Sequence, residues 1–294
     1  MGDTIRLAAG STAAEIALTG AEPIAWYVGG RDLLWQADPT FWAQTSPILF
    51  PLVGWARNGE IRVDGKPHKI GVHGFAAVKP FVLAEKTKSS ARLTLRDDPD
   101  SRKSFPFAFE LDVFYAISEG ELSTTFTVRN PGDEPLPYAL GVHPGFRWPF
   151  SGQSRDGCRI EFERAEKPEV PVIASGGLFS TSTRPVPLDG RVLPLSEELL
   201  SREALCFLNA NSRLIRFVAE DGAAISMAVE DFPHFAIWSR PGAPLVSLEA
   251  WTGHGDPEGF EGDIREKPSM RFLAPGTEAL HAARMRFDAP LLAS

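Results

Sequence analysis

Alternation of apolar and polar side chains with a period of two is the strongest pattern in this sequence. It is clearest in two neighbouring segments, whose apolar positions are Phe107, Phe109, Leu111, Val113 and Tyr115, and then Leu122, Thr124, Phe126 and Val128. Successive side chains of a β-strand point to opposite faces, so this pattern predicts strands with one buried face. Because the turn pair Glu119-Gly120 separates the two segments, we expect them to pair as a long antiparallel hairpin.

Shorter segments with strand character recur along the whole chain. A second hairpin is expected where Ile61 and Val63 lead into Asp64-Gly65, a dipeptide that favours a two-residue turn, before the chain returns through Lys69-Ile70. Further strands are predicted at 4–8, 14–18, 23–28, 81–87, 91–96, 158–163, 213–219, 224–230, 234–239, 245–250 and 278–287.

Helical signals are sparse. Only Ser196 to Ala204 favours a short helix, with Ser196 as its N-cap. The 25 prolines and 26 glycines are spread through the chain, as turns between short strands require. No linker, repeat or low-complexity tract divides the sequence. We therefore predict a single all-β domain over residues 1–294, in which two antiparallel sheets pack face to face.

Charge, termini and cysteines exclude several classes of protein. A formal net charge of -8 without a basic tract argues against a nucleic-acid partner. The segment Met1–Arg6 lacks the features of a signal peptide, and no stretch approaches the roughly 20 apolar residues of a membrane-spanning helix. Cys158 and Cys206 are expected to be free thiols. We expect a soluble cytoplasmic protein without a membrane partner, and exposed strand edges permit a monomer or a homodimer.

Four segments interrupt the alternation with reactive side chains, and Gly141–Phe146 is the most constrained of them. Pro144 cannot donate a backbone hydrogen bond and favours extended geometry at His143. His143 is therefore expected at a strand end, pointing in a fixed direction, while Gly145 lets the chain turn away without a side chain. The alternative is a turn histidine that a backbone carbonyl satisfies.

A second segment, Leu245–Gly253, places a carboxylate beside an indole. Ser247, Glu249 and Trp251 share one face of the predicted strand. If the strand is central, burial raises the pKa of Glu249 toward the range of a general base, and Trp251 can stack on a sugar ring. If it is an edge strand, Glu249 is a solvated surface residue.

The other two segments contribute a cation and a second histidine. Arg57 precedes the turn Asn58-Gly59 and is either a substrate-binding cation or a surface residue. A ligand can approach His73 closely because Gly74 follows it, although turn histidines of this kind are common. His73, His143 and Glu249 also leave a metal triad open. The sequence contains no phosphate-binding loop and no hydrolase nucleophile elbow.

In chain order, these segments resemble the aldose 1-epimerase (galactose mutarotase-like) family over roughly residues 15–285. The resemblance rests on Phe50-Pro51 through Asn58-Gly59, His73-Gly74-Phe75, Gly141–Phe146, Leu248–Gly253, Asp256 and Lys267-Pro268. It implies a large antiparallel β-supersandwich with few short helices. The implied substrate is a small sugar, a hexose or related free aldose, whose α and β anomers interconvert without a cofactor or metal.

The resemblance also implies roles for individual residues. Glu249 would take the proton from the C1 hydroxyl, and His143 would protonate the ring oxygen. His73 would hold the sugar and share the charge that develops as the ring opens. The residues expected to contact the sugar are Arg57, Phe75 and Trp251.

Three positions depart from the family pattern. Trp55 stands where arginine often follows the glycine of the first motif, Ala76-Ala77 replace an expected arginine, and Ala250 replaces a proline. These differences predict a less cationic pocket, which disfavours a phosphorylated sugar. They also keep open an alternative function, a non-catalytic carbohydrate-binding or sensor protein with the same cleft.

Overall fold

Strands dominate the computed structural model, which describes residues 3–152 and 154–290. In chain order they are β1 (Thr4–Ala9), β2 (Thr12–Ala17), β3 (Pro23–Val28), β4 (Arg31–Asp32), β5 (Ile48–Leu49), β6 (Glu60–Val63), β7 (Lys66–Lys69), β8 (Val82–Lys86), β9 (Ser90–Arg96), β10 (Glu110–Ser118), β11 (Glu121–Arg129), β12 (Leu136–Tyr138), β13 (Gly141–Val142), β14 (Gly145–Arg147), β15 (Arg159–Phe162), β16 (Glu169–Ala174), β17 (Leu178–Pro185), β18 (Val192–Pro194), β19 (Leu205–Phe207), β20 (Leu214–Val218), β21 (Ala224–Glu230), β22 (His234–Trp238), β23 (Leu245–Trp251), β24 (Arg271–Leu273) and β25 (Glu278–Asp288). The α-helices are α1 (Ser101–Ser104) and α2 (Glu197–Leu200), and short 3₁₀ turns lie at Arg57–Gly59, Ala76–Val78, Ser175–Gly177 and Ile264–Glu266. The predicted all-β class is confirmed. None of the helices in the described part of the chain is long and apolar enough to cross a membrane.

Two large antiparallel sheets organise these strands. One has nine strands in the order β18-β15-β20-β21-β25-β11-β10-β9-β8. The other has six strands in the order β19-β22-β23-β13-β5, and β14 also pairs with β23. A four-stranded sheet, β1-β2-β3-β4, and the pairs β12-β24, β16-β17 and β6-β7 complete the set.

The predicted long hairpin is the β10–β11 pair, whose register runs from Glu110 opposite Arg129 to Ser118 opposite Glu121. The prediction that its first strand extends back to Phe107 is wrong. Pro106 supplies no backbone donor, and Phe109 N–H bonds to the Asp97 side chain at 3.0 Å instead of to a neighbouring strand. Phe107 and Phe109 are nevertheless buried, so their alternation reports burial without strand pairing.

The other local predictions hold with small changes of boundary. Asp64 and Gly65 both have positive φ angles, as the two-residue turn between β6 and β7 requires. Helix α2 ends at Leu200, four residues earlier than predicted, but Ser196 caps it by accepting from Leu199 N–H. Cys158 and Cys206 are free and buried.

The two large sheets face each other across a shared core. Val142 and Pro144, from the six-stranded side, line one small cavity together with Phe126 of β11 and Met227 of β21. Val142 is opposite Ala250 of β23, so this face of β23 points toward the nine-stranded sheet. The intervening residues of β23 therefore point away from that sheet.

Candidate active site

Strand register brings the predicted acid and base together. Strand β23 lies between β22 and β13 and is therefore central. Glu249 is thus on a central strand, as its role as a buried base requires, and not on an edge strand. Gly141 pairs with Trp251 and Gly145 pairs with Ser247 in one continuous register. That register places His143 opposite Glu249, and His143 Nε2 lies 3.3 Å from Glu249 Oε2. Two residues more than 100 positions apart in sequence thus form one contact.

The two glycines around His143 make room for indole rings. A Cβ on Gly141 would lie 2.9 Å from the Trp251 ring. A Cβ on Gly145 would lie 2.7 Å from the Trp42 ring. Any larger residue at either position would displace an aromatic side chain next to His143. Gly145 therefore serves close packing within a strand, a role different from the chain turn that the sequence predicted.

Ser247 determines which nitrogen of His143 carries the proton. Ser247 Oγ donates to the Pro144 carbonyl at 2.9 Å and lies 2.9 Å from His143 Nδ1. Because the hydroxyl proton is used for the carbonyl, its oxygen can only accept from Nδ1–H. Nε2 of the neutral ring is then free of a proton and faces the carboxyl of Glu249.

Glu249 is held in its neutral form near neutral pH. Only 2% of the surface of Glu249 is exposed to solvent. Burial raises the pKa of Glu249 to about 8, and the Trp251 indole N–H, which donates to Oε2 at 3.0 Å, opposes part of that rise. Burial, followed by the nearby His73, holds the pKa of His143 well below its usual value. The proton shared between His143 Nε2 and Glu249 is therefore on the carboxyl, and both groups are uncharged.

His73 approaches the same pair from another segment. It has a positive φ of 62°, and its ring centroid lies 5.7 Å from that of His143. Gly54 N–H donates to His73 Nδ1 at 3.0 Å, so the proton of the neutral ring is on Nε2. Burial lowers the pKa of His73 to about 4, which keeps the ring neutral. His73 can thus offer an N–H donor near the acid–base pair.

A buried ion pair supports the loop that holds His73. Asp256 Oδ1 lies 2.8 Å from Lys267 Nζ, while its Oδ2 accepts from Arg57 N–H at 2.8 Å. The backbone N–H of Asp256 donates to the Trp55 carbonyl at 2.9 Å. A Cβ on Gly54 would lie 2.7 Å from Gly255, so the two segments touch directly. This junction fixes the Gly54 amide that bonds to His73.

The predicted sugar-contacting residues have other partners in this structure. Arg57 Nη1 bonds to Glu261 Oε1 at 2.6 Å, and the guanidinium forms no hydrogen bond or ion pair with His73, His143 or Glu249 within the described residues. Trp251 is buried and donates to Glu249. Phe75 is half-buried, with its ring 5.9 Å from that of Phe109. Their contacts with a sugar stay predictions.

Two further indoles surround His143, and the sequence did not point to them. The Trp42 ring lies over the imidazole at a centroid distance of 4.8 Å and an interplanar angle of 32°. Trp238 meets the imidazole at 5.6 Å and 82°. Trp238 lies opposite Ser247 on β22, so a correct pairing of β22 with β23 would have found it. Trp42 comes from an irregular segment that no local pattern connects to His143.

The metal alternative gains no support from side-chain placement. Within residues 3–152 and 154–290, no three His, Cys, Asp or Glu side chains are arranged to hold a metal ion. The contacts that do converge here are an acid–base pair, the serine that orients it and a neutral imidazole donor. These groups can move protons between oxygens.

Known proteins resemble this chain over nearly its whole length. A family model described as aldose 1-epimerase matches residues 3–278. The chromosomal protein LacX of Lactococcus lactis subsp. lactis is 27% identical over 274 residues, which cover 90% of either chain. A galactose mutarotase-like protein from Lactobacillus casei ATCC 334 superposes with a TM-score of 0.91 at 27% identity, over 97% of this chain and 100% of the other. A galactose mutarotase related enzyme from Lactobacillus acidophilus has a TM-score of 0.91 at 26% identity, over 98% of each chain.

Proposed function

The chain belongs to the aldose 1-epimerase family, and we propose that it interconverts the α and β anomers of a free hexose or related aldose. The observation that carries the proposal is the contact between His143 Nε2 and Glu249 Oε2 at 3.3 Å. Two oxygens bonded to one anomeric carbon lie closer together than this. A single aldose can therefore present its C1 hydroxyl to one group and its ring oxygen to the other.

In the proposed reaction, one proton is taken up and one is released. The carboxylate of Glu249 removes the proton of the C1 hydroxyl, and the oxygen lone pair forms the C1=O bond as the bond from C1 to the ring oxygen breaks. The ring oxygen takes the proton of His143 Nε2. After rotation about the C1–C2 bond, the same steps in reverse close the ring to the other anomer. Each proton transfer is typically worth about 10²–10⁴ in rate.

This direction of transfer requires the shared proton to be on His143 when the sugar reacts. In the empty site burial favours the proton on Glu249, because both groups are then uncharged. The 3.3 Å contact allows the proton to move between Glu249 and His143 without a solvent molecule. The neutral His73 can donate from Nε2 to a sugar oxygen without adding a competing charge.

Polarimetry tests the proposal directly. Purified protein should accelerate the change in optical rotation of freshly dissolved α-glucose or α-galactose above the buffer rate. Glu249→Gln and His143→Gln should each remove the acceleration. Glu258→Gln changes an exposed carboxyl without an ion pair in the described residues and should retain it. A panel of aldoses that shows no acceleration by the wild-type protein would refute the catalytic proposal.

A second candidate function is sugar binding without catalysis. It is favoured by the positions at which this chain lacks the arginines of the family pattern. Trp55, at the position of a family arginine, is 47% exposed and close to Gly177. The side chain of Arg57 is paired with Glu261. Calorimetric titration with the same aldoses distinguishes the two functions. Saturable binding together with an unchanged rotation rate would support the binding protein.

A further inference from the structure

Aromatic rings cover the histidine of the acid–base pair. His143 is 7% exposed and Glu249 is 2% exposed, although an aldose must reach both. The nearest of these rings to His143 belongs to Trp42, at a centroid distance of 4.8 Å and an interplanar angle of 32°. Trp42 itself is only half-buried. It therefore lies between the catalytic imidazole and the outside of the protein.

Trp42 is carried by an irregular segment, residues 35–45, which we call the strap. Both ends of the strap bond to Gly145, two residues after His143. Trp35 N–H donates to the Gly145 carbonyl at 2.9 Å, and Gly145 N–H donates to the Thr45 carbonyl at 2.8 Å. The carboxylate of Glu22 also accepts from Thr45 N–H at 2.7 Å. The ends of the strap are thus anchored at the strand that carries the site.

The middle of the strap is held much more weakly than its ends. Its backbone hydrogen bonds, between Asp38 and Phe41 or Trp42, are internal, and none joins residues 36–44 to another part of the described chain. Side chains make further contacts: Trp42 packs on His143 and Trp238, and Phe41 packs on Trp35. The Trp35 indole N–H also donates to the Trp42 carbonyl at 3.1 Å, and Gln36 Nε2 donates to Asp32 Oδ2 at 2.7 Å and to the Ile24 carbonyl at 3.3 Å. Within the described chain, residues 37–44 therefore form hydrogen bonds only with other residues of the strap, and a segment of this kind opens at low cost in free energy.

We propose that Trp42 is the gate of this site, and that the strap swings its indole off His143 to admit the aldose. The proposal rests on the proposed function for the identity of the ligand, but the covering of His143 is independent of it. The missing Cβ of Gly145 is what lets the indole close, since a methyl group there would lie 2.7 Å from the Trp42 ring. Trp42 therefore determines access, while His143 and Glu249 perform the chemistry.

Carbethoxylation of histidines by diethyl pyrocarbonate measures this access without a substrate. The rate at His143 is followed by peptide mass spectrometry, relative to the half-buried His68 on the β7 strand. An open state populated at 10% or less predicts that Trp42→Ala raises the relative rate by about tenfold or more. Gly145→Ala, which keeps every tryptophan, should raise it in the same direction. Trp42→Phe retains an aromatic cover and should fall between wild type and Trp42→Ala.

Controls separate opening of the gate from loss of the fold. His281 is 1% exposed and lies in the core beside Tyr138. Only variants in which His281 stays unreactive have kept the fold and are used to test the gate. An unchanged rate at His143 in both Trp42→Ala and Gly145→Ala, with His281 protected, would overturn the gate. The gate and the proposed function fail separately. If the wild-type protein accelerates no aldose, the proposed function is refuted. A higher carbethoxylation rate at His143 in the variants than in wild type still supports the gate.

Discussion

Glu249→Gln removes the ionisable group at the centre of the site and keeps its shape. Burial raises the pKa of Glu249 to about 8 in the folded protein, against an ordinary value of 4.5 in the unfolded chain. Between these pH values the unfolded chain releases a proton that the folded protein retains. Stability falls with rising pH wherever the folded state binds more protons. The carboxyl therefore destabilises the fold progressively from about pH 4.5 to about pH 8.

The size of this effect follows from the interval between the unfolded pKa and the assay pH. From 4.5 to pH 7 is about 2.5 units, at 1.36 kcal/mol each, which amounts to about 3 kcal/mol. Glutamine cannot ionise, so it removes this pH-dependent cost. Trp251 Nε1 and His143 Nε2 both contact the same oxygen, Oε2, so the amide can satisfy only one of them, and that loss is the same at both pH values. We expect the gain in unfolding free energy of Glu249→Gln to be about 3 kcal/mol larger at pH 7 than at pH 4.5.

Urea unfolding followed by tryptophan fluorescence measures this difference. Wild type and variant are compared at each pH, so the titration of groups that do not contact residue 249 cancels. Glu258→Gln provides the matched control, because it makes the same change at an exposed carboxyl. If the gain of Glu249→Gln is the same at pH 4.5 and pH 7, Glu249 is ionised in the folded protein and the argument from burial is refuted. The same variant should lose mutarotation at all pH values.

Three further predictions concern proton transfer in the site. Wild-type kcat/KM for an aldose should fall above about pH 8, where Glu249 ionises and the pair loses its shared proton; a rate that keeps rising to pH 10 would contradict this. Trp251→Phe removes the N–H donor that lowers the pKa of Glu249, so the fall of kcat/KM at alkaline pH should move to higher pH. If the fall stays at the same pH, the indole does not affect the pKa of the carboxyl. Ser247→Ala frees His143 Nδ1 and should lower kcat on the order of tenfold or more with little change in KM, because the ring loses its fixed tautomer. A change confined to KM would instead indicate a role of Ser247 in binding.

The fold class could be predicted from sequence because a period of two reports strands directly. Strands β3 (Pro23–Val28) and β21 (Ala224–Glu230) have the predicted boundaries. Strand β13 (Gly141–Val142) has only two residues, too few to show an alternation of apolar and polar side chains. It is a strand only because it pairs with its neighbours. The error at Phe107 has a related cause, since burial produces the same alternation as pairing.

The site was predictable to the extent that it lies on one strand or in one motif. The motifs point to His143 and Glu249, and the structure brings the two side chains to 3.3 Å, while their roles in a reaction stay predictions. Ser247 lies two residues before Glu249, so the alternation puts both on one face of the strand. The contact of Ser247 with His143 Nδ1 depends on the pairing register of β23 with the His143 segment, which the alternation does not give. Trp42 could not be found, because its contact with His143 joins residues about a hundred positions apart through an irregular segment.

The cost of a neutral buried carboxyl is offset by the strand that carries it. Ser247, Glu249 and Trp251 occupy one face of β23, and the residues between them, Val246 and Leu248, are fully buried on the other. Burial of these two side chains contributes about 3–6 kcal/mol, which is at least as large as the roughly 3 kcal/mol that Glu249 costs at pH 7. A slip of one residue in the register would exchange the two faces, removing the apolar pair from the core between the sheets and turning Glu249 into that core, away from His143. The core therefore selects the same register that the acid–base contact requires.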